Sequence, residues 1–209
     1  VRQAGGDTIH EEAGKPMFDT PEMKEAIEFL NGMFQNQSAR FAGEDKNANT
    51  PVQQGRAAMC VASTSALPYI ESDTMEGITI NAAALPGHKN NAQLYYGTNV
   101  TIYDTGSDAQ KEASWLYLKF LTSTENTAYF AAQTGYIPVR KSAETDPVFA
   151  EVLAQKPMKQ LCFECMDDGF QGERCTGSIN ALDALGDQID LIFSGEKEID
   201  AALKDAQAN

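Results

Sequence analysis

Long apolar runs and positive charge are both scarce in this sequence. No stretch approaches the ~20 apolar residues that a bilayer span requires, and the opening VRQAGGDTIHEE has neither the basic n-region nor the apolar h-region of a signal peptide. Sixteen Lys and Arg stand against thirty Asp and Glu, a net charge of -14, and such a field repels nucleic acid and anionic membranes. We therefore expect a soluble chain that binds no nucleic acid, with any export signal outside it.

Histidine is also scarce, and this bears on catalysis. His10 and His88 are the only two, and both fall in polar, loop-like segments. The sequence contains no nucleophile elbow, no phosphate-binding loop and no paired catalytic carboxylates at a strand end. We expect the protein to be no enzyme and to use no cofactor.

Cysteine is too sparse for a disulfide-dense scaffold, since there are four in the chain. Cys162, Cys165 and Cys175 are clustered, and Cys60 is far from them in sequence. One disulfide among the clustered three and thiols without a disulfide are both compatible with this spacing. A metal site would need Cys60 as its fourth ligand, because no histidine lies near the cluster, so we expect no metal.

Helix signals are frequent. In FDTPEMKEAIEFLNGMFQNQ, Thr20 is a candidate N-cap and Pro21 stands at the first helical position, with apolar residues recurring on one face. SDAQKEASWLYLKFLTS predicts a helix capped by Ser107 or Asp108. STENTAYFAAQTG predicts one that is capped by Ser123 or Thr124 and ends with Gly135 as its C′ residue. Three further segments predict helices: 147–155, SINALDALGDQIDLIFSG and EKEIDAALKDAQ.

Strand signals are few. RAAMCVAST predicts a buried strand, and GITINAAALPG and YYGTNVTIYDT predict two strands that pair with each other, with Gly97 inside the second. MKQLCFECMDDGFQGERCTGS is predicted to be a loop. Because so few strands cannot form a self-contained sheet under so many helices, we expect the chain to be part of a larger molecule.

Five motifs occur together and in order: AGGD before FDTPEMKEAIEFL, QQGRAAM, AAALPG, YYGTNVTI, and KFLTSTENTAYFAAQTGYIPVRKSA. The last is the most specific, because it sets a helix, a cap and a rigid corner in fixed register. Over nearly the whole chain, these motifs resemble those of the solute-binding proteins of bacterial ABC importers. The likeness is to the large extracellular family that includes maltodextrin and glycerol 3-phosphate binders.

The resemblance implies an α/β fold of the periplasmic-binding-protein type II, in which two hinged lobes close on a ligand. The chain would correspond to the C-terminal half of such a protein. Residues 1–75 and 107–209 would build most of the helix-rich C-terminal lobe, and strands at 76–106 would return to the N-terminal lobe. Those strands would have open edges, so we expect self-association of the chain through them.

The resemblance also implies the role of substrate-binding component of an import system. The solute would be a sugar or a sugar or glycerol phosphate, delivered to an ABC permease in the membrane. The protein would be extracellular or periplasmic, and its full-length form would be a membrane-anchored lipoprotein. Two alternatives stay open: binding of a plain oligosaccharide without phosphate recognition, and a metal or redox module built on the cysteines.

Two candidate ligand-binding residues lie near helix and strand ends. Tyr136 stands in the corner TGYIPVR, where Gly135 and Pro138 stiffen the backbone before a ligand arrives; the alternative is a ring that plugs the core. Ser63 ends the predicted strand AAMCVAS, where the resemblance places a contact with the ligand. Its alternative role is to cap the strand end.

Two more candidates are a glycine and an arginine. Gly97 would let the backbone approach a ligand closely, or it would mark a bulge. Arg174, in GFQGERCTGS, is placed like the arginine that grips the phosphate in glycerol 3-phosphate binders, and a guanidinium matches phosphate bidentately. Gly177 and Ser178 open the next helix, which would add backbone N–H donors for an anion.

Overall fold

A computed structural model describes residues 1–10, 12–45, 47–172 and 174–208. The α-helices in these ranges are α1 (Pro21–Gln35), α2 (Asn49–Gln53), α3 (Leu67–Asp73), α4 (Asp108–Leu121), α5 (Thr124–Gln133), α6 (Pro147–Gln155), α7 (Leu161–Glu164), α8 (Ser178–Phe193) and α9 (Ile199–Ala208). The strands are β1 (Ile9–His10), β2 (Lys15–Pro16), β3 (Gln93–Tyr95) and β4 (Gly169–Gln171). No described helix combines the length and the apolar character needed to cross a membrane.

The six predicted helices are confirmed, and the predicted caps explain where they begin. The Thr20 hydroxyl accepts a hydrogen bond from the Met23 N–H at 3.3 Å, directly before Pro21 opens α1. At α4, the Ser107 hydroxyl accepts from the Gln110 N–H at 3.4 Å, and the Gln110 side chain accepts from the Ser107 N–H at 2.8 Å. This reciprocal pair is a capping box, which satisfies two N–H groups that a helix start leaves without partners.

The three predicted strands are wrong over most of their length. Residues 57–63 and 78–86 form no strand, and Met59 and Val61 in the first segment are 87% and 73% exposed. The third prediction, 95–105, overlaps a strand only at Tyr95, the last residue of β3, so Gly97 lies outside the described strands. A strand exists only where a neighbour accepts its backbone hydrogen bonds, and none of the described residues pairs with these segments.

The partner of β3 comes from the segment that was predicted to be a loop. β3 and β4 are parallel, with Gln93 opposite Gly169 and Tyr95 opposite Gln171. The same segment also contains α7 and a 3-10 turn at Pro157–Gln160. The prediction missed all three because short elements carry too few residues to show a period.

One of two compact units comprises residues 1–41, 85–96 and 168–209. Its core joins the two ends of the chain, since Phe18, Met23 and Ile27 pack with side chains of α8 and α9 that include Leu185 and Leu203. The Phe18 N–H also donates to the Gln207 side chain at 2.8 Å. Burial of these apolar side chains is the main source of stability for this unit.

The other unit comprises residues 42–84 and 97–167. Its buried cluster lies between α5 and α6 and contains Ala128, Ala131, Ala143 and Phe149. The ring of Phe149 meets that of Phe163 edge-on, with centroids 5.7 Å apart. Phe149 of this cluster lines a small cavity together with residues of the segment TGYIP.

The units divide the chain at positions other than those expected for the two lobes. Residues 76–106 do not form one segment of their own, because 85–96 group with the chain ends while 97–106 group with α4. Residues 107–167 group with 42–84, and α8 and α9 group with 1–41. The assignment of segments to the lobes of a binding protein stays a prediction.

Candidate functional site

The corner at residues 134–138 begins where α5 ends. The N–H and the hydroxyl of Thr134 both donate to the Phe130 carbonyl, at 3.0 and 2.8 Å. The Thr134 hydroxyl then accepts from the Tyr136 N–H at 3.2 Å. The chain is tied again further on, where the Val139 N–H donates to the buried Thr127 hydroxyl at 2.9 Å. These bonds hold the backbone on both sides of Tyr136.

Gly135 is required in this corner for a reason other than the predicted one. It does not have the left-handed φ of a helix C′ residue. Instead, a β-carbon at Gly135 would lie 2.0 Å from the Thr64 carbonyl oxygen and 2.6 Å from the Ser65 α-carbon. Real side chains do not come so close to backbone atoms, so the corner packs against residues 64–65 through a position that only glycine can occupy.

This contact brings two of the candidate residues into one neighbourhood, because Thr64 follows Ser63 and Gly135 precedes Tyr136. Ser63 is exposed, and it caps the 3-10 turn Thr64–Ala66 rather than the end of a strand. Its hydroxyl accepts from the Ser65 N–H at 3.3 Å and from the Ser65 hydroxyl at 3.0 Å. With both lone pairs of Ser63 accepting from Ser65, its hydroxyl hydrogen can still donate to a second partner.

The ring of Tyr136 is not a plug in the core. Its residue is 42% exposed, and its ring centroid lies 5.6 Å from that of Phe130, which is also exposed. The two rings are tilted by 53°. Paired aromatic faces that are rigid and open to solvent are the kind of surface that contacts a sugar ring at little cost in conformational entropy.

Lys159 was not singled out in the sequence, and it lies beneath this corner. It is 4% exposed, and its Nζ donates to the carbonyls of Ala131, Ala132 and Thr134 at 3.2, 2.9 and 2.7 Å. Burial lowers the pKa of its ammonium. Nothing in the segment PMKQL separates this lysine from one on the surface, so no local signal predicted it.

Gly97 and Arg174 are both exposed. A β-carbon at Gly97 would meet no atom within 4 Å, so the protein itself does not demand a glycine there. Arg174 lies between β4 and α8, and Gly177 precedes α8 with a left-handed φ of 86°. Ser63, Gly97 and Tyr136 belong to the unit that contains α5, whereas Arg174 belongs to the unit that contains α8.

All four cysteines lie among the described residues and carry thiols. Burial raises the pKa of Cys162, whose side chain also hydrogen-bonds to Thr64. Over the described residues, no group of three or more His, Cys, Asp and Glu side chains is arranged to hold a metal ion. Cys162 is buried, and it lines a small cavity at the corner together with Phe149 and Phe163.

Comparison with known proteins gives a family and a fold. The family model described as bacterial extracellular solute-binding protein matches residues 3–156. A binding protein of Brucella abortus (strain 2308) is 23% identical over 211 residues, which cover 97% of this chain and 49% of the relative. The chain thus spans about half the length of the curated relatives that it matches.

Two solved structures illustrate the shared fold. UgpB from Mycobacterium tuberculosis, in complex with glycerophosphocholine, is similar with a TM-score of 0.82 and 22% identity, over 99% of this chain and 52% of that one. Maltose-bound MalE3 of T. maritima is similar with a TM-score of 0.76 and 22% identity, over 99% of this chain and 54% of that one. These matches confirm the expected fold class.

Proposed function

Because the chain belongs to the bacterial extracellular solute-binding proteins, whose family model matches residues 3–156, we propose that it is the substrate-binding component of an ABC importer. It captures a carbohydrate or a glycerol-phosphate-type solute and delivers it to a permease in the membrane. The family works outside the cytoplasm, and we propose that the full-length protein is held at the membrane as a lipoprotein. Neither the capture of the solute nor its delivery to the permease requires catalysis by this protein.

The proposal is supported above all by the surface around Tyr136. An exposed aromatic ring and the Ser63 hydroxyl lie in neighbouring segments that are fixed against each other where Gly135 meets Thr64. A polar solute such as a sugar needs one apolar face and a few placed hydrogen-bonding groups. Since the backbone is already fixed, little conformational entropy is lost when a ligand binds.

Hinge closure is the proposed mechanism of capture. The resemblance to the family implies two lobes joined by a hinge. A ligand that contacts both lobes binds the closed form more tightly, which shifts the population toward that form. The permease would then recognise the closed form.

Arg174 is the proposed phosphate ligand. It is exposed and follows β4, in the same unit as the helix start at Gly177. A guanidinium donates two parallel hydrogen bonds to a phosphate oxygen pair. The alternative ligand is a neutral oligosaccharide, and the observation in its favour is the exposed pair of rings at Tyr136 and Phe130, which needs no charge to bind a sugar.

Calorimetric titration of the full-length natural protein separates these ligands. Replacement of Arg174 by Ala should weaken binding of a glycerophosphodiester by roughly 2–5 kcal/mol if the charge pair is desolvated in the complex, and should leave maltooligosaccharide binding unchanged. Arg40→Ala removes an exposed guanidinium from the same unit and serves as the matched control. A glycerophosphodiester that binds Arg174→Ala and the wild type equally would exclude phosphate recognition by this residue.

A second pair of variants tests the site itself. Tyr136→Ala should weaken binding of either ligand, whereas Tyr129→Ala, which truncates an exposed ring on α5, should not. If Tyr136→Ala and Tyr129→Ala bind each ligand with equal affinity, Tyr136 is not part of the site. If neither a maltooligosaccharide nor a glycerophosphodiester binds the wild type, the proposed ligand class is wrong.

We also propose that the chain self-associates through the segment 76–106. Within it, residues 78–86 and 97–106 have no strand neighbour among the described residues, and the apolar side chains of Val100 and Tyr103 are exposed. Such edges pair with other edges. Sedimentation velocity should show an association that grows with concentration and is reduced by Val100→Lys. A monomer at every concentration would contradict the proposal.

A further inference from the structure

Lys159 makes a complete set of hydrogen bonds with one helix end. An ammonium group has three N–H donors, and the Lys159 Nζ has three backbone acceptors, the carbonyls of Ala131, Ala132 and Thr134. These carbonyls belong to the last turn of α5 and to its C-cap residue. The last carbonyls of a helix lack intrahelical partners, so Lys159 supplies from a distant segment what the helix cannot.

The helix end also explains why a charge is tolerated here. Burial of an ammonium is costly, and the partial negative charge at a helix C-terminus offsets part of that cost. The charged and titratable groups that act on it are Lys156, which lowers its pKa further, and Glu71 and Cys162, which raise it. Lys156 and Glu71 form an ion pair with each other. The three carbonyls are therefore the direct partners of Lys159.

We propose that Lys159 is a positioning residue that fixes the corner at Tyr136 in the orientation that meets the ligand. The proposal rests on the proposed function, because it assumes that Tyr136 contacts the solute. Lys159 touches no solute itself. It acts through the Thr134 carbonyl, since Thr134 is the residue whose hydroxyl accepts from the Tyr136 N–H.

Two sets of contacts hold the corner, and the hydrogen bonds of Lys159 are one of them. On one side, Gly135 lies against the backbone of Thr64 and Ser65. On the other, the ammonium binds the carbonyls just before Gly135. If the ammonium is removed, the carbonyls of Ala131, Ala132 and Thr134 lose their shared donor. Because the site is buried, water replaces that donor poorly. The last turn of α5 must then move until its carbonyls meet other donors. Tyr136 would move with it.

Fluorine NMR tests this positioning without any ligand. The full-length natural protein is labelled with 3-fluorotyrosine, and the Tyr136 line is assigned by its loss in Tyr136→Phe. Lys159→Met, which keeps the length of the side chain, should shift or broaden the Tyr136 line and leave the Tyr129 line in place. Lys156→Met removes a charge three positions away without touching α5 carbonyls, so it should move neither line.

Ligand affinity supplies the second readout. Lys159→Met should weaken binding about two- to tenfold, the range expected when one ordered side chain loses its preorganisation. In a Tyr136→Ala background it should cause no further loss, because the group that it positions is gone. If Lys159→Met does not fold, Lys159→Gln keeps an N–H donor and is measured in the same way.

The outcomes distinguish the two proposals. A Tyr136 line that is the same in Lys159→Met as in the wild type would overturn the positioning role. The role would also be overturned if Lys159→Met weakened ligand binding by the same factor in the wild type and in Tyr136→Ala. A Tyr136 line that moves in a protein that binds neither a maltooligosaccharide nor a glycerophosphodiester would refute the proposed function and support the positioning of the corner by Lys159.

Discussion

Replacement of Gly135 by Ala should destabilise the protein strongly, although it adds a single carbon. The new β-carbon would lie 2.0 Å from the Thr64 carbonyl oxygen, 2.6 Å from the Ser65 α-carbon and 2.7 Å from the Thr64 carbonyl carbon. Since ordinary contacts begin near ~3.5 Å, one of the two backbone segments would have to move by about 1.5 Å. All three atoms belong to the backbone, so no side-chain rotation relieves the overlap.

The expected loss lies at or above the upper end of the range for overpacked sites, about 3 kcal/mol. Urea denaturation followed by circular dichroism would measure it as a lower midpoint. Gly32→Ala is the control: Gly32 lies within α1, where a β-carbon meets nothing within 4 Å, and alanine there should stabilise by up to ~1 kcal/mol. A change below about 0.5 kcal/mol in Gly135→Ala, the level of ordinary surface substitutions, would refute the close contact with Thr64.

Three further predictions concern single side chains. Because burial makes the folded-state pKa of Lys159 lower than its unfolded value, the unfolded state binds more protons between those two pKa values, and the free energy of unfolding rises with pH there, up to about pH 10.4. Urea titrations should show this rise in the wild type relative to Lys159→Met, and parallel curves would contradict it. Phe18→Ala truncates a side chain that is 0% exposed and should cost about 3–5 kcal/mol in urea denaturation; a loss under 1 kcal/mol would show that Phe18 is not in the core. Ser107→Ala removes the capping box of α4 and should lower stability by about 1 kcal/mol by the same measurement, and an unchanged midpoint would show that the cap contributes nothing.

Helices were predictable from the sequence because their signals are local. Thr20 with Pro21, and Ser107 with Gln110, satisfy helix N–H groups with side chains only a few residues away. Such bonds depend on sequence spacing alone, so the same residues that suggest a cap also form it.

Strands and site geometry were less predictable because they depend on distant partners. β3 pairs with β4, from a segment without any alternating pattern, and the predicted strand at 56–64 has no strand neighbour in the described chain. Gly135 was correctly identified as a special position but for the wrong reason, since the carbonyl that excludes a side chain belongs to Thr64. The acceptors of Lys159 likewise lie on another helix, so its burial has no sequence signal.

The core that joins α1 to α8 and α9 is complete only after α9 has been synthesised. Phe18 and Ile27 are synthesised before Leu185, Ile192 and Leu203, which bury them. A ribosome releases residues in sequence, so these apolar side chains stay uncovered until α9 has emerged, and exposed apolar surface of that kind promotes aggregation. The nascent chain therefore carries an aggregation-prone surface during the interval between the synthesis of α1 and that of α9.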